Sequence, residues 1–115
     1  MDLLEAGVRA EGLRQNAIAS NVANLETPGY RRIDVRFEQL LDKALSSSKN
    51  IDPKDIEPQL HQPENTPVKS NGNDVNWEAE VGEMVKNSLR HRTYVRLIQK
   101  KLSQIDLAIN IRTTS

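Results

Sequence analysis

A helix that has to stop, and the way it is made to stop, constrains this chain more than any other feature. The ten residues Asn21-Val22-Ala23-Asn24-Leu25-Glu26-Thr27-Pro28-Gly29-Tyr30 follow a long amphipathic run and end it. Thr27 precedes a proline and is pushed away from helical dihedrals, while Pro28-Gly29 suits the two central positions of a type II turn. The expectation is an N-terminal helix over residues 3–25 whose exit direction is set by that turn. Asn21 and Asn24 lie one helical turn apart, and two uses are open to them: capping carbonyls at the helix end or bridging to a neighbouring element.

Upstream of the turn, small and apolar residues recur as Leu3, Ala6, Ala10, Leu13, Ala17, Ser20 and Asn24, an alternation of three and four that defines a seam. Leu4, Val8, Ile18 and Val22 widen that face. The side chains are mostly small, so a partner helix can approach closely. Gly7 and Gly12 each cost about 1 kcal/mol of helix propensity relative to alanine, so this helix needs something packed on it.

The far end of the chain carries a second long pattern, expected as a helix over residues 77–111. Asn76 is placed to cap it, and Glu78, Glu80 and Glu83 sit in its first turns, where the helix dipole favours acids and solvent is expected to reach them. Its heptad seam is Val81, Met84, Ser88, His91, Val95, Ile98, Leu102, Ile105 and Ile109. Leu89, Leu97, Leu107 and Ile111 lie off that seam, so more than one helix should pack here. The reading is a mainly α chain of one domain whose terminal helices pair as a coiled coil, with Leu3, Ala6, Ala10, Leu13 and Ala17 set against Met84, Val95, Ile98, Leu102, Ile105 and Ile109.

Between the helices the pattern changes twice. Residues 26–45 hold the turn, then Ile33, Val35 and Phe37 alternating with charged residues, then a short helical run through Leu40, Leu41, Ala44 and Leu45. Residues 46–76 hold four of the five prolines (Pro53, Pro58, Pro63, Pro67) and few large apolar groups, which reads as a flexible arm or a segment that folds on a partner. Asn71-Gly72-Asn73 is a turn signal that could tip a short hairpin flanked by Val68 and Val75.

Composition narrows the chemistry. Only four aromatics (Tyr30, Phe37, Trp77, Tyr94) serve 115 residues, so the core should be small and stability should depend on neighbours. The formal charge is zero, which points neither to nucleic acid nor to anionic membrane, and the absence of cysteine excludes disulfides and thiolate chemistry. No run approaches the roughly 20 apolar residues of a bilayer span. Met1-Asp2-Leu3-Leu4-Glu5 lacks the basic and apolar regions of a secretion signal, so export, if it occurs, is expected to use a route without a cleaved peptide.

Neither His61 nor His91 has a ligand at metal spacing, and no nucleophile with a base or phosphate-binding loop is visible, so no enzyme, metal or cofactor is expected. Lys86, Arg90, Arg92, Arg96, Lys100 and Lys101 make the second helix basic around Tyr94, yet no nucleic-acid module surrounds them. A solvated or subunit-facing charged surface is the expectation.

With both ends read, the stretch from Asn21 to Tyr30 resembles the signature of the bacterial flagellar rod and hook axial proteins: asparagine, aliphatic, alanine, asparagine, two variable residues, Thr-Pro-Gly-Tyr. Asn21, Ala23, Asn24, Thr27, Pro28, Gly29 and Tyr30 carry it. Arg31-Arg32-Ile33-Asp34-Val35-Arg36-Phe37-Glu38 and Asn71-Gly72-Asn73-Asp74-Val75-Asn76 bring the likeness closest to one kind of short proximal rod subunit, while Val81-Gly82-Glu83-Met84-Val85 is similar to a second kind. The resemblance covers roughly residues 3 to 45 and 71 to 111. It implies a structural subunit, exported by the flagellar type III apparatus, that assembles with copies of itself, with other rod proteins and with the basal-body membrane ring and its adaptor. The alternatives are a small helical adaptor or export chaperone, and a basic-helix nucleic-acid binder.

Overall fold

The computed structural model describes residues 2–46 and 56–114, with side chains described for 3–46 and 56–112. In chain order the elements are α1 (Asp2–Ala23), β1 (Asp34–Arg36), α2 (Glu38–Ser46), β2 (Gln59–His61) and α3 (Trp77–Thr114). The chain is mainly helical, and its extents of 70 × 32 × 14 Å make it a rod rather than a globule. Asn76 begins α3 as its composition suggests: its Oδ1 accepts the Ala79 N–H at 3.0 Å and its carbonyl accepts the Glu80 N–H.

α1 and α3 pack antiparallel. Asn21 meets Glu80, Glu11 meets Asn87 and Arg90, and Gly7 meets Tyr94, so one helix descends as the other rises. Gly7 faces α3 because nothing larger fits: a β-carbon there would lie 2.5 Å from Tyr94 Cε1. Gly7→Val should therefore lower stability by about 1–3 kcal/mol through overpacking. A thermal melt should show the loss, and Tyr94→Leu in the same chain should recover part of it.

The contact does not run along the expected apolar seam. The α3 side is Glu80, Asn87 and Tyr94 at seven-residue steps with Arg90 beside them, whereas Met84, Leu102, Ile105 and Ile109 point outward. Val95 and Ile98 are half-buried. The α1 seam is diverted as well. Ala6 and Ala10 are fully buried under Phe37 and Ile56, with Leu3, Leu40, Leu41 and Ala44 packed around them, so the small residues receive α2 and the segment before it. Ala17 is buried where the chain passes through Arg32, Ile33 and Asp34, and Leu13 is half-buried. The reason is steric: alanines let a bulky Phe37 sit on α1, and a second helix cannot occupy the same stripe.

The middle of the chain is partly built in. β1 and β2 pair antiparallel with Val35 opposite Leu60, and Val35 is buried while Leu60 is exposed. Ile56 enters the core, and Asn73, Asp74 and Val75 are buried ahead of α3. The arm expected over 46–76 is thus packed at 56–61 and 73–75, and the part of it at 47–55, including Pro53, lies outside the described residues. Asn71-Gly72-Asn73 does turn, with Gly72 at φ +83° and the Lys69 N–H donating to the Asn73 carbonyl at 2.8 Å. No strand flanks that turn among the described residues; Val75 is drawn into the core and Val68 stays at the surface.

Candidate functional site

The helix exit folds as its sequence suggests. Gly29 has φ +74° and the Tyr30 N–H donates to the Thr27 carbonyl at 3.2 Å, which makes Thr27 to Tyr30 a type II turn. Asn24 caps locally, its Nδ2 donating to the Ser20 carbonyl at 2.8 Å. Its Oδ1 accepts the Thr27 hydroxyl at 3.1 Å.

Asn21 bridges instead. It is fully buried; its Nδ2 donates to the Ile33 carbonyl at 2.9 Å and its Oδ1 accepts the Ile33 N–H at 2.8 Å. One side chain thus pairs with both backbone groups of one residue, as a neighbouring strand would. The Tyr30 hydroxyl donates to the same Oδ1 at 3.0 Å, which leaves the Ser20 hydroxyl to donate to the tyrosine oxygen. The second Nδ2 hydrogen reaches Glu80 Oε2 at 3.2 Å, so Asn21 ties the exit of α1 to the start of α3.

A second bridge comes from Asn73, also fully buried. Its Nδ2 donates to the carbonyls of Asn24 and Thr27, both at 2.8 Å, each of which also accepts a backbone N–H within the exit turn. The Gly29 N–H donates to the Asn71 carbonyl at 2.9 Å, and a β-carbon on Gly72 would lie 3.3 Å from Gly29 Cα. The two turns stack glycine on glycine. Asp74 fixes the following residues, accepting the Arg32 N–H and pairing with the Arg31 guanidinium at 3.3 Å.

Two buried carboxylates anchor the helix pair. Glu80 accepts the Arg32 Nε–H at 3.0 Å as well as the Asn21 amide. Glu11 accepts from Arg14, from Arg90 Nε at 2.8 Å and from Asn87 Nδ2 at 2.8 Å, while its backbone carbonyl takes Asn87 Nδ2 at 2.7 Å. Solvent was expected to reach Glu80; Glu80 and Glu11 are both buried, with side chains wholly inaccessible. A buried acid with its arginine removed typically costs about 3–5 kcal/mol, so these pairs fix the register of α1 against α3.

Arg14 also grips Glu38 with two N–H donors, which joins α2 to α1. Burial works against both charges, but the hydrogen bond and attraction between them prevail: Arg14 is held above its ordinary range and Glu38 below. Burial raises the Tyr94 phenol, helped by Glu38 and Glu11 nearby. Because the folded-state value of Glu38 is depressed, its contribution is intact above the ordinary value of 4.5 and is lost as pH falls through the lower folded value. Unfolding measured across that acid window should show a steeper loss for the parent chain than for Glu38→Gln.

Of the residues singled out in sequence, the seven of the motif lie at the junction: Asn21, Asn24 and Tyr30 are drawn inward, while Ala23, Thr27, Pro28 and Gly29 stay exposed. The packing residues divide. Leu3, Ala6 and Ala10 serve the core, and along the distal seam of α3 the side chains of Leu102, Ile105 and Ile109 are about half exposed. Periodicity missed Glu11, Arg14, Asn73, Glu80 and Asn87. Among the described residues no group of acids and histidines could hold a metal, and no helix is long and apolar enough to cross a membrane.

A polar helix pair, an exit turn locked by asparagines and a helix that projects beyond its partner are the parts of a packing subunit. The family model described as flagella basal body rod protein matches residues 3–31, which are α1 and the exit turn. The chain is 31% identical over 101 residues to the flagellar basal body rod protein FlgB of Aeromonas hydrophila, covering 78% of this chain and 76% of that protein. FlgB of Buchnera aphidicola is 30% identical over 106 residues (80% of each chain), and FlgB of Aquifex aeolicus 30% over 105 residues (86% and 83%). The chain belongs to the FlgB family: it is a structural subunit of the flagellar basal-body rod, not an enzyme.

Proposed function

We propose that the chain builds the rod through the outward half of α3, which packs against neighbouring axial subunits and so helps to link the membrane ring to the hook and to carry torque. One observation supports this above the rest. α3 continues past the start of α1 by about fifteen residues, roughly 20 Å, carrying Leu102, Ile105 and Ile109 in a row on one face, each about half exposed. The accessible surface is 8142 Å², against roughly 6300 Å² expected for a compact monomer of this mass. Such a helix is stable when another subunit covers it.

The order of events follows from the same packing. The polar junction sets the angle at which the turn and β1 leave the helix pair, and the apolar seam then joins subunits along the rod axis. Passage through the flagellar export apparatus without a cleaved signal belongs to this reading. Basal bodies purified from cells carrying an epitope-tagged chain should retain it after detergent strips the membrane. Recovery in the cytoplasm alone would replace this reading with an adaptor or export chaperone.

A further inference from the structure

We propose that Asn71-Gly72 is a self-modification site, at which the Gly72 nitrogen attacks the Asn71 side chain with loss of ammonia, and that the corner formed by the two stacked turns holds this reaction back until it opens. Asn71 is the one asparagine of the chain that precedes a glycine, and it is exposed. A β-carbon on the following residue crowds the approach of that residue's nitrogen to the side-chain carbonyl carbon. Glycine removes the obstacle.

The reaction needs only water. The Gly72 nitrogen gives its proton to a base in solution and bonds to Asn71 Cγ; the Cγ–Nδ2 bond breaks, and Nδ2 takes up a proton and leaves as ammonia. A succinimide ring remains. Water then opens the ring at either carbonyl. Addition at Cγ gives aspartate in an unaltered chain, while addition at the main-chain carbonyl gives isoaspartate, in which the chain runs on through Cβ and Cγ. Nothing is oxidised or reduced, and either product carries a new negative charge.

The corner acts on both partners of this step. The Asn73 N–H donates to Asn71 Oδ1 at 3.1 Å, which draws the side chain forward over the following peptide and polarises the carbon that is attacked. The nucleophile is held back. The Gly72 N–H donates to the Lys69 carbonyl at 2.9 Å, and that bond has to break before the nitrogen can lose its proton. The Gly29 N–H on the Asn71 carbonyl and the Lys69 N–H on the Asn73 carbonyl keep the turn closed around it, and Asn73 Nδ2 ties the turn to Asn24 and Thr27. Reaction therefore waits on local opening.

The isoaspartyl product makes that opening permanent. Its chain is longer by a methylene, and the carbonyl that accepted the Gly29 N–H becomes a carboxylate hanging off the chain. Gly72 then cannot stack on Gly29, where a β-carbon would already lie only 3.3 Å from Gly29 Cα. Asn73 is displaced from both carbonyls it serves.

The purified full-length chain, held for days in neutral buffer with and without denaturing urea, should be digested and the peptide containing Asn71 analysed by mass and by isoaspartyl methyltransferase labelling. Conversion should run several-fold faster in urea. Asn73→Ala, which frees the turn but leaves Asn71-Gly72 in place, should bring the rate in plain buffer towards the rate in urea, and Asn71→Gln should give no product at that position. A comparison without any variant uses the parent chain: its ratio of rates in buffer and urea should match, within a few-fold, the fraction of time the Gly72 amide is open to hydrogen exchange. The isoaspartyl fraction should melt below the aspartyl one. Equal rates with and without urea, no isoaspartate at Asn71 in urea, a rate ratio unrelated to Gly72 exchange, or equal melting of the two products would overturn the proposal.

Discussion

Asn21→Leu should lower folding stability by about 3–5 kcal/mol, because the leucine fills the space but leaves the Ile33 N–H and carbonyl buried without partners and strips Glu80 of a donor. For a domain whose whole margin is of order 5–15 kcal/mol, that is enough to open the junction in a large share of molecules. Chemical denaturation of the purified chain would measure it. Asn21→Asp is the sharper probe. It keeps an acceptor for Ile33 and Tyr30 but sets a second carboxylate 3.2 Å from Glu80 Oε2, so it should be about as damaging as leucine. Glu80→Gln should relieve the repulsion, so the double variant should be more stable than Asn21→Asp. A double variant that simply adds two losses would show that the two side chains are not coupled.

The same substitutions bear on what the exit turn is for. Local capping by Asn24 is enough to stop a helix, and Asn24→Ala should cost only about 1 kcal/mol. The bridging pair, Asn21 and Asn73, does something a cap cannot: it holds the chain leaving α1 against the chain entering α3. Two segments separated by some fifty residues become one rigid corner, from which β1 and the helix pair leave at fixed angles. A subunit that must repeat its geometry in a polymer needs that corner more than it needs a large core.

Sequence reading reached the local parts of this architecture and missed the face that joins them. Pro28-Gly29 as a type II turn, Asn76 as a cap and Val35 and Phe37 as an alternating strand followed by α2 are all short-range effects, settled by dihedral preference and nearest neighbours. The α1–α3 contact is polar at its centre. Counting apolar periodicity therefore selected Met84, Leu102, Ile105 and Ile109, which face outward, and passed over Glu80, Asn87 and Tyr94, which face inward at the same seven-residue step. The available signal was compensation: Glu11 with Arg14 three residues on, and Glu80 in the first turn of α3 with Arg32 to meet it. Nothing in a single sequence says which arginine answers which acid. The burial of Ile56 was equally illegible, because it depends on a core assembled from α1 and Phe37 some twenty to fifty residues earlier.

That arrangement of α3, with polar groups at its contact with α1 and apolar groups facing out, yields the other large effect. Leu102→Asp and Ile105→Asp should leave the isolated chain as stable as before, within about 0.5 kcal/mol, because neither side chain is packed in its own molecule. In the cell either change should abolish incorporation into the rod, since a neighbour that covers the seam would then bury an unpaired carboxylate at a cost of several kcal/mol per subunit. Loss of motility with normal levels of soluble chain would be the readout, supported by its absence from purified basal bodies. Ile98→Asp is the contrasting control: Ile98 is half-buried near the start of α1, so it should lower the melting temperature as well as motility. Normal swimming with Leu102→Asp would mean that the outward half of α3 is not a subunit contact. The lost function would then have to be sought at the exit corner, where Asn21, Tyr30 and Glu80 meet.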